Sequence, residues 1–353
     1  FNHLTLLYYS DYFFLFLHSM KKNTIFEALF LVITCIPSLT LAIEPITVGI
    51  AVVAGGGAIA GKWAYCQFKE CCTPKWTNHS SHTMTDSFRD NLIGQHLVTH
   101  IVAKSIRKHL QQENPKKALV LSFHGWTGSG KNFVADIIAK HVYKKGVQSK
   151  FITKYIAGND FPHKDELKQY KDRVKREIVE KTKACDHSMF IFDEIEKMPA
   201  GLIDVLKAFI DFHQDVNGVD FRKNIFIFIG NTGGDEINKE VFKHFRSGES
   251  RQDITSKQME FLLSIDAFNN NGGLKDANIL LAGLVDFFVP FLPMEREHVK
   301  QCVRAELIRR NHALNEKIVN EVAKEMDYFP KKNPMFSTTG CKKVSKKMDL
   351  ILD

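Results

Sequence analysis

The chain has 353 residues, 44% of them hydrophobic and 25% charged, the proportions of an ordinary globular protein. That length accommodates two or three domains and excludes a chain too short to bury a sizeable core. The formal charge of +8 is carried by lysines that alternate with acids, as in DELKQYKDRVKREIVEKTK from Asp165 to Lys183. This reads as a solvated surface and not as a nucleic-acid-binding patch.

Phe1 to Ser19 precedes Met20 and reads as an over-extended start. From Met20, a basic beginning, an apolar run and small residues up to Ala42 form a secretory signal pattern, with cleavage expected after Ala42. Residues 1–42 are therefore read as an upstream extension and signal peptide. Ile46 to Gly61, ITVGIAVVAGGGAIAG, is uncharged but shorter than the roughly 20 apolar residues of a spanning helix. Residues 43–64 read as a membrane-associating segment in one leaflet, or else as a hairpin or helix packed on the protein. Of seven cysteines, Cys35 would leave with the signal. The other six, Cys66, Cys71, Cys72, Cys185, Cys302 and Cys341, suggest disulfides in a secreted context without fixing their pairing. No C-x-x-C pair with matching spacing indicates zinc. Asn78 opens N-H-S, a glycosylation acceptor, within CCTPKWTNHSSHTMTDS, and residues 65–90 read by composition as a linker.

From Asn91 the spacing of Leu92, Leu97, Ile101, Ile106 and Leu110 predicts a helix. ALVLSFHG is a buried strand feeding a loop. KNFVADIIAKHVY follows as a helix with Phe133, Val134, Ile137 and Ile138 inward. The charged stretch from Asp165 to Lys183 is helical, and MFIFDE and NIFIFIGNTGG are two further buried strands. This alternation predicts an α/β fold, a parallel sheet flanked by helices, over residues 91–292. From Pro293 the chain turns helical and charged without a further strong strand, a small helical domain over 293–353.

The chemistry gathers at the strand ends. Gly125, Trp126, Thr127, Gly128, Ser129, Gly130, Lys131 and Asn132 form a G-x4-G-K loop between a buried strand and an amphipathic helix. Its backbone N–H groups would close around phosphate oxygens, and Lys131 would neutralise the outer phosphates. Where such loops usually carry Ser or Thr, this one has Asn132. At the second strand end, Asp193 would hold magnesium through water and Glu194 would act as general base. At the third, Asn231 would orient water near the γ-phosphate, or serve only as a turn residue. Three strand ends so equipped predict a nucleotide site, for ATP, at the carboxyl edge of the sheet.

GWTGSGKN, FIFDEIEKM, GNTGG and TTGCKKV, together with AIEPI, CQFKECC, LIGQHL, FRSG and DFFVPFLP, resemble the torsin family from about Ala42 to the C-terminus. The resemblance implies an AAA+ ATPase of the endoplasmic reticulum lumen and nuclear envelope, related to Clp-type proteins and using ATP and magnesium. It implies that Asn132 is a family variant; an amide is a poorer magnesium ligand than a hydroxyl, consistent with weak intrinsic turnover. It also implies that Lys342 senses the γ-phosphate and that Cys302 pairs with Cys341, two residues otherwise readable as buried thiols. Between the first two nucleotide motifs, where Clp-type proteins carry an aromatic-glycine pore loop, the stretch from Tyr155 to Arg176 has no such sequence. Leu284 stands where Clp-type relatives have an arginine, so the resemblance implies a lumenal AAA-like activator domain of a membrane protein that supplies one. Self-association and contact with a membrane surface complete the expected partners, with no nucleic acid.

Overall fold

A computed structural model describes residues 64–352 apart from 270–273 and 275–277. The chain divides into two compact units, residues 1–69 and 70–353. Of the first, residues 64–69 are described, helical from 64 to 68. The signal pattern, Cys35 and the apolar run Ile46 to Gly61 lie outside the described residues. Among the described residues no helix is long and apolar enough to cross a membrane.

The second unit is built on a parallel sheet of order β2-β3-β4-β1-β5, from β1 (Leu119–His124), β2 (Ile152–Ile156), β3 (Met189–Asp193), β4 (Ile225–Gly230) and β5 (Phe287–Pro290). Successive strand residues point to opposite faces, and MFIFD and IFIFIG alternate aliphatic residues with phenylalanine. All the phenylalanines of β3 and β4 therefore share one face. There Phe190 stacks on Phe226 at 5.1 Å, and Phe192 meets Tyr155 at 4.9 Å and Phe228 at 5.7 Å. Met189, Ile191, Ile225, Ile227 and Ile229 line the opposite, aliphatic face.

Helices cover both faces, as a parallel sheet requires. The aliphatic face is covered by α1 (Met84–Asn91), α2 (His96–Gln111) and α3 (Lys131–Val142). The aromatic face packs against α4 (Leu167–Ala184), whose charged sequence buries a single stripe of Tyr170, Val174, Ile178 and Thr182 at four-residue spacing. Further along run α5 (Gly234–Arg246) and α6 (Ser256–Asn269). The cap then comprises α7 (Arg296–Arg309), α8 (Glu316–Lys324) and α9 (Val344–Asp349), with the two-residue strands β6 (Tyr328–Phe329) and β7 (Phe336–Ser337). Its own core begins at Met294 and joins Val299, Val303, Val319, Val322 and Met348.

The structure corrects several expectations. The segment read as a linker is ordered: a helical turn over Pro74–Thr77 and α1 bury Trp76, Met84 and Phe88. Composition there is polar only because the apolar residues are few and spaced for a helix. The helix expected from Asn91 is broken between α1 and α2, where Gly94 adopts a left-handed φ of 68°. Phe133, expected inward, is 44% exposed, because the first turn of α3 opens onto a cavity. Two strands were not anticipated, β2 and β5, which are the two edges of the sheet. The helical cap carries a small antiparallel pair, β6 with β7.

Cys72 is joined to buried Cys185 at the end of α4, and Cys302 to Cys341 within the cap; Cys71 too lies in a disulfide. Removing a fully buried ring from the aromatic face should cost about 3–5 kcal/mol by transfer and cavity creation. Phe228→Ala, at 0% exposure, is therefore expected to lower the urea midpoint strongly. Phe261→Ala, at 68% exposure, should leave it nearly unchanged.

Candidate nucleotide site

Parallel pairing sets the ends of β3, β4 and β1 side by side, with Asp193 opposite Ile229 and His124 opposite Gly230. The three motif-bearing strands are thus neighbours in the sheet, although β2 separates two of them in sequence. A cavity of about 1000 Å³ opens over these ends. Its floor is the loop from Thr127 to Asn132 with Asp193, Glu194 and Asn231. Its roof is the cap, through Cys302, Cys341, Lys342 and Arg309, and Asn91 to Ile93 close one side. Of the expected phosphate, acid and sensor residues, Thr127 to Asn132, Asp193, Glu194, Asn231 and Lys342 line it, whereas Gly125 and Trp126 do not.

The loop is tied down from several directions. The Lys131 ammonium donates to the carbonyl oxygens of Gly125 (2.5 Å) and Trp126 (2.9 Å) and to Asn231 Oδ1 (3.0 Å). Burial lowers its pKa to about 8, opposed by the nearby carboxylates of Glu196 and Asp193. Asn231 is aimed by Glu196, which accepts from its Nδ2 at 2.7 Å and its backbone N–H at 3.2 Å. Gln95, 2% exposed, donates to Ser129 O and Leu292 O and accepts from Leu292 N–H. It therefore binds the loop to the chain leaving β5. Gln95 lies in the quoted LIGQHL and Glu196 in FIFDEIEKM, but neither carried a role in the sequence reading. Neither has a local sequence signal: Gln95 lies between Gly94 and His96, and Glu196 stands among the charged residues Asp193, Glu194 and Lys197.

The cap touches the loop by its backbone. A Cβ at Gly128 (φ 76°) would overlap the carbonyl oxygen of Thr339, and one at Gly340 (φ 52°) would overlap that of Gly128. Only glycine permits so close an approach. Cys341 N–H donates to Gly128 O at 3.3 Å, so the Cys302–Cys341 bridge borders the phosphate loop directly. Trp126 packs at a tilt against Phe329 of β6, ring centroids 4.2 Å apart, and donates from Nε1 to Asp235 at 2.8 Å.

Glu194 follows β3 in a left-handed conformation, φ 59°, and its carboxylate accepts from Lys197 at 2.7 Å. Asp193 and Asn132 both face a cation: Lys154 Nζ lies 2.9 Å from Asp193 Oδ2 and 2.8 Å from Asn132 Oδ1. Asp193, the residue expected to hold magnesium, thus shares a cation with Asn132. Leu284 is 2% exposed within the core of the aromatic face, and its side chain takes no part in the site. Asn78 ends the turn Pro74–Thr77, half-buried, and accepts from Ser81 Oγ at 2.6 Å. Cys72, Cys185, Asp186 and His187 also cluster, but the two sulfurs are bonded to each other.

The chain matches the family model described as Torsin over residues 66–192 and that described as Torsin-1A, C-terminal domain over 294–350. It is 41% identical to a Torsin-like protein of Caenorhabditis elegans, over 81% of each chain. The chain belongs to the torsin family. It is also 36% identical to Torsin-3A of Homo sapiens, over 82% of this chain and 74% of that one. Among solved structures, this torsin resembles Hsp104 of S. cerevisiae in its ADP complex, with a TM-score of 0.55 and 16% identity over 77% of this chain and 47% of that one. It spans about half of the Hsp104 chain, and the likeness establishes the AAA+ fold.

His124, immediately before the loop, is fully buried between Ser122 Oγ (2.7 Å) and the carbonyl and hydroxyl oxygens of Thr232 (3.1 and 3.2 Å). Burial lowers its pKa from 6.5 to about 4; the Thr232 carbonyl opposes this, and the Lys131 charge reinforces it. Because the folded-state value is depressed, the stability this residue contributes is complete above pH 6.5 and is lost as pH falls toward 4. The shift corresponds to ~3 kcal/mol at most. Urea denaturation of the wild type and of His124→Gln across that window should show the wild type losing more stability on acidification. Equal losses would contradict the assignment.

Proposed function

We propose that this torsin hydrolyses ATP at the cavity over β3, β4 and β1, at a low rate alone and faster with an activating partner. The observation that carries this reading is the convergence on one cavity of the Lys131–Asn231 contact and the Asp193–Glu194 pair. Lys131 and the loop amides bind the outer phosphates. Glu194, released from Lys197, takes the proton of the attacking water. Asn231, held by Glu196, orients that water. Asn132 and Asp193 would hold a magnesium ion only once Lys154 had left them, and that ion would offset the charge of the phosphates. The ADP complex named for the Hsp104 relative agrees with a nucleotide here.

The partner reading rests on Leu284, buried where related proteins carry an arginine. A lumenal AAA-like domain of a membrane protein would supply that cation across the interface. The disulfides Cys72–Cys185 and Cys302–Cys341 favour an oxidising compartment, in keeping with the endoplasmic reticulum lumen and nuclear envelope. There the protein would self-associate, meet the membrane surface through residues 43–64, and remodel proteins or membranes. A sugar on Asn78, read by glycosidase sensitivity of the cellular protein, tests the compartment.

Glu194→Gln should bind ATP with near-normal affinity and fail to turn it over, because the phosphate contacts remain while the base is gone. An arginine supplied in trans is worth about 10³–10⁵ in rate in GTPases. Single-turnover hydrolysis should therefore be slow for the isolated chain and fast with the partner domain. It should be slow again when the partner's interface arginine is changed to alanine. Rapid hydrolysis by the isolated chain, or by the Glu194→Gln variant, would defeat the proposal. ATP binding without turnover under every condition would show a nucleotide-set binding module instead.

The disulfide bordering Gly128 gives a separate expectation. Reducing Cys302–Cys341 frees the turn that packs on the phosphate loop, and ATP affinity should weaken. Calorimetry on oxidised and reduced protein measures it, with equal affinities contradicting the coupling.

A further inference from the structure

The edge strand β2 places a charge in the site that the nucleotide motifs do not include. In β2, Lys154 pairs with Ile191 in the parallel register. Ile191 and Asp193 point to the aliphatic face, the side covered by α3; Lys154 points the same way. Its long side chain runs past the strand ends to the first turn of α3. The ammonium stops between two oxygens on two different elements: Asn132 Oδ1 at 2.8 Å and Asp193 Oδ2 at 2.9 Å. Asp193 keeps only 12% of its side-chain surface and Lys154 36%, so the pair is more sheltered than an ordinary surface ion pair, which contributes little.

These two oxygens are the ones that would hold a divalent ion beside the phosphates. An ammonium and a divalent cation cannot occupy the same pair of oxygens, since like charges at such separations repel strongly. We propose that Lys154 is a built-in cation of the nucleotide site, standing between Asn132 and Asp193 where a divalent ion would otherwise sit. ATP binding by this chain then depends only weakly on magnesium. The inference rests on the nucleotide reading of the cavity and adds to it a determinant of metal dependence. Position 132 fits this arrangement: an amide oxygen accepts from an ammonium readily, while it is a weaker ligand for a hard divalent ion.

Removing the charge should have opposite effects in the two conditions. Without magnesium, Lys154→Met loses a cation near the phosphates and binds ATP more weakly than wild type. With magnesium, the ion takes the vacated oxygens and affinity equals or exceeds that of wild type. The measurement is equilibrium binding of ATP to the full chain, in excess magnesium and in EDTA, for wild type, Lys154→Met and Lys154→Arg. The ratio of affinities with and without magnesium should be about tenfold or more larger in Lys154→Met, a difference of about 1.4 kcal/mol. Lys154→Arg, which keeps the charge, should behave like wild type. Thermal melting confirms that each variant is folded, as expected for a side chain at the sheet edge. Tight ATP binding with the same magnesium ratio in wild type and Lys154→Met would overturn the inference and leave the nucleotide reading intact. Failure of all three proteins to bind ATP in either condition would overturn the nucleotide reading, and the inference with it.

Discussion

The site depends on where the Lys131 ammonium is held. A buried cation is costly unless hydrogen-bonded, and this one is satisfied by Gly125 O, Trp126 O and Asn231 Oδ1. Those three acceptors come from the end of β1 and the end of β4. One side chain thereby fixes the curvature of the loop and the separation of two strand ends. Glu196 completes the arrangement by orienting Asn231 from the segment after β3. Burial still depresses the pKa of Lys131, and the carboxylates of Glu196 and Asp193 offset this only in part. On the proposed reading, phosphate oxygens are the stronger partners that the ammonium lacks in the free chain.

The same loop is where the cap is anchored. Gly128 and Gly340 approach so closely that neither admits a side chain, and Trp126 continues the contact through Phe329. The cap core is separate from the sheet cores, so these contacts, with Gln95 beneath the loop, connect the two at the cavity. Covalent constraint is placed at the same point, since Cys341 both bridges to Cys302 and donates to Gly128. Movement of the cap and the shape of the phosphate loop are therefore one mechanical problem.

What was legible in the sequence follows burial. β1, β3 and β4 are central and fully buried, so they appear as uninterrupted apolar runs, and their ends carry the loop, the acids and Asn231. The edge strands β2 and β5 are partly exposed. ITKYI carries a lysine and FFVP ends in proline, a residue tolerated at sheet edges, and neither reads as a core strand. The linker reading failed for a related reason: Trp76, Met84 and Phe88 are too widely spaced among polar residues to outweigh composition. Phe133 obeys helical spacing but sits on the one turn of α3 that faces a cavity. Gln95, Glu196 and Lys154 act through contacts distant in sequence, which no local spacing reveals, and Lys154 was hidden with the strand that carries it.

Four cations around the cavity, Lys342 not among them, bear on why the chain would turn over slowly by itself. Lys154 is paired with Asp193, Lys197 with Glu194, and Arg309 with Glu306. Lys131 is directed at carbonyls and an amide. Each of these cations already answers an acceptor of the protein, so placing one on a transferring phosphoryl group means breaking an existing contact first. Arg309 illustrates the point: it borders the cavity, yet its guanidinium is engaged by Glu306, whose acid strength is raised by that same contact to a pKa of about 2. Leu284, sealed in the core, contributes no charge. Stabilising charge that develops only in the transition state requires a donor already in place and free of other partners. These paired cations do not meet that condition in the isolated chain; on the proposed reading, an arginine on a partner's surface would supply it.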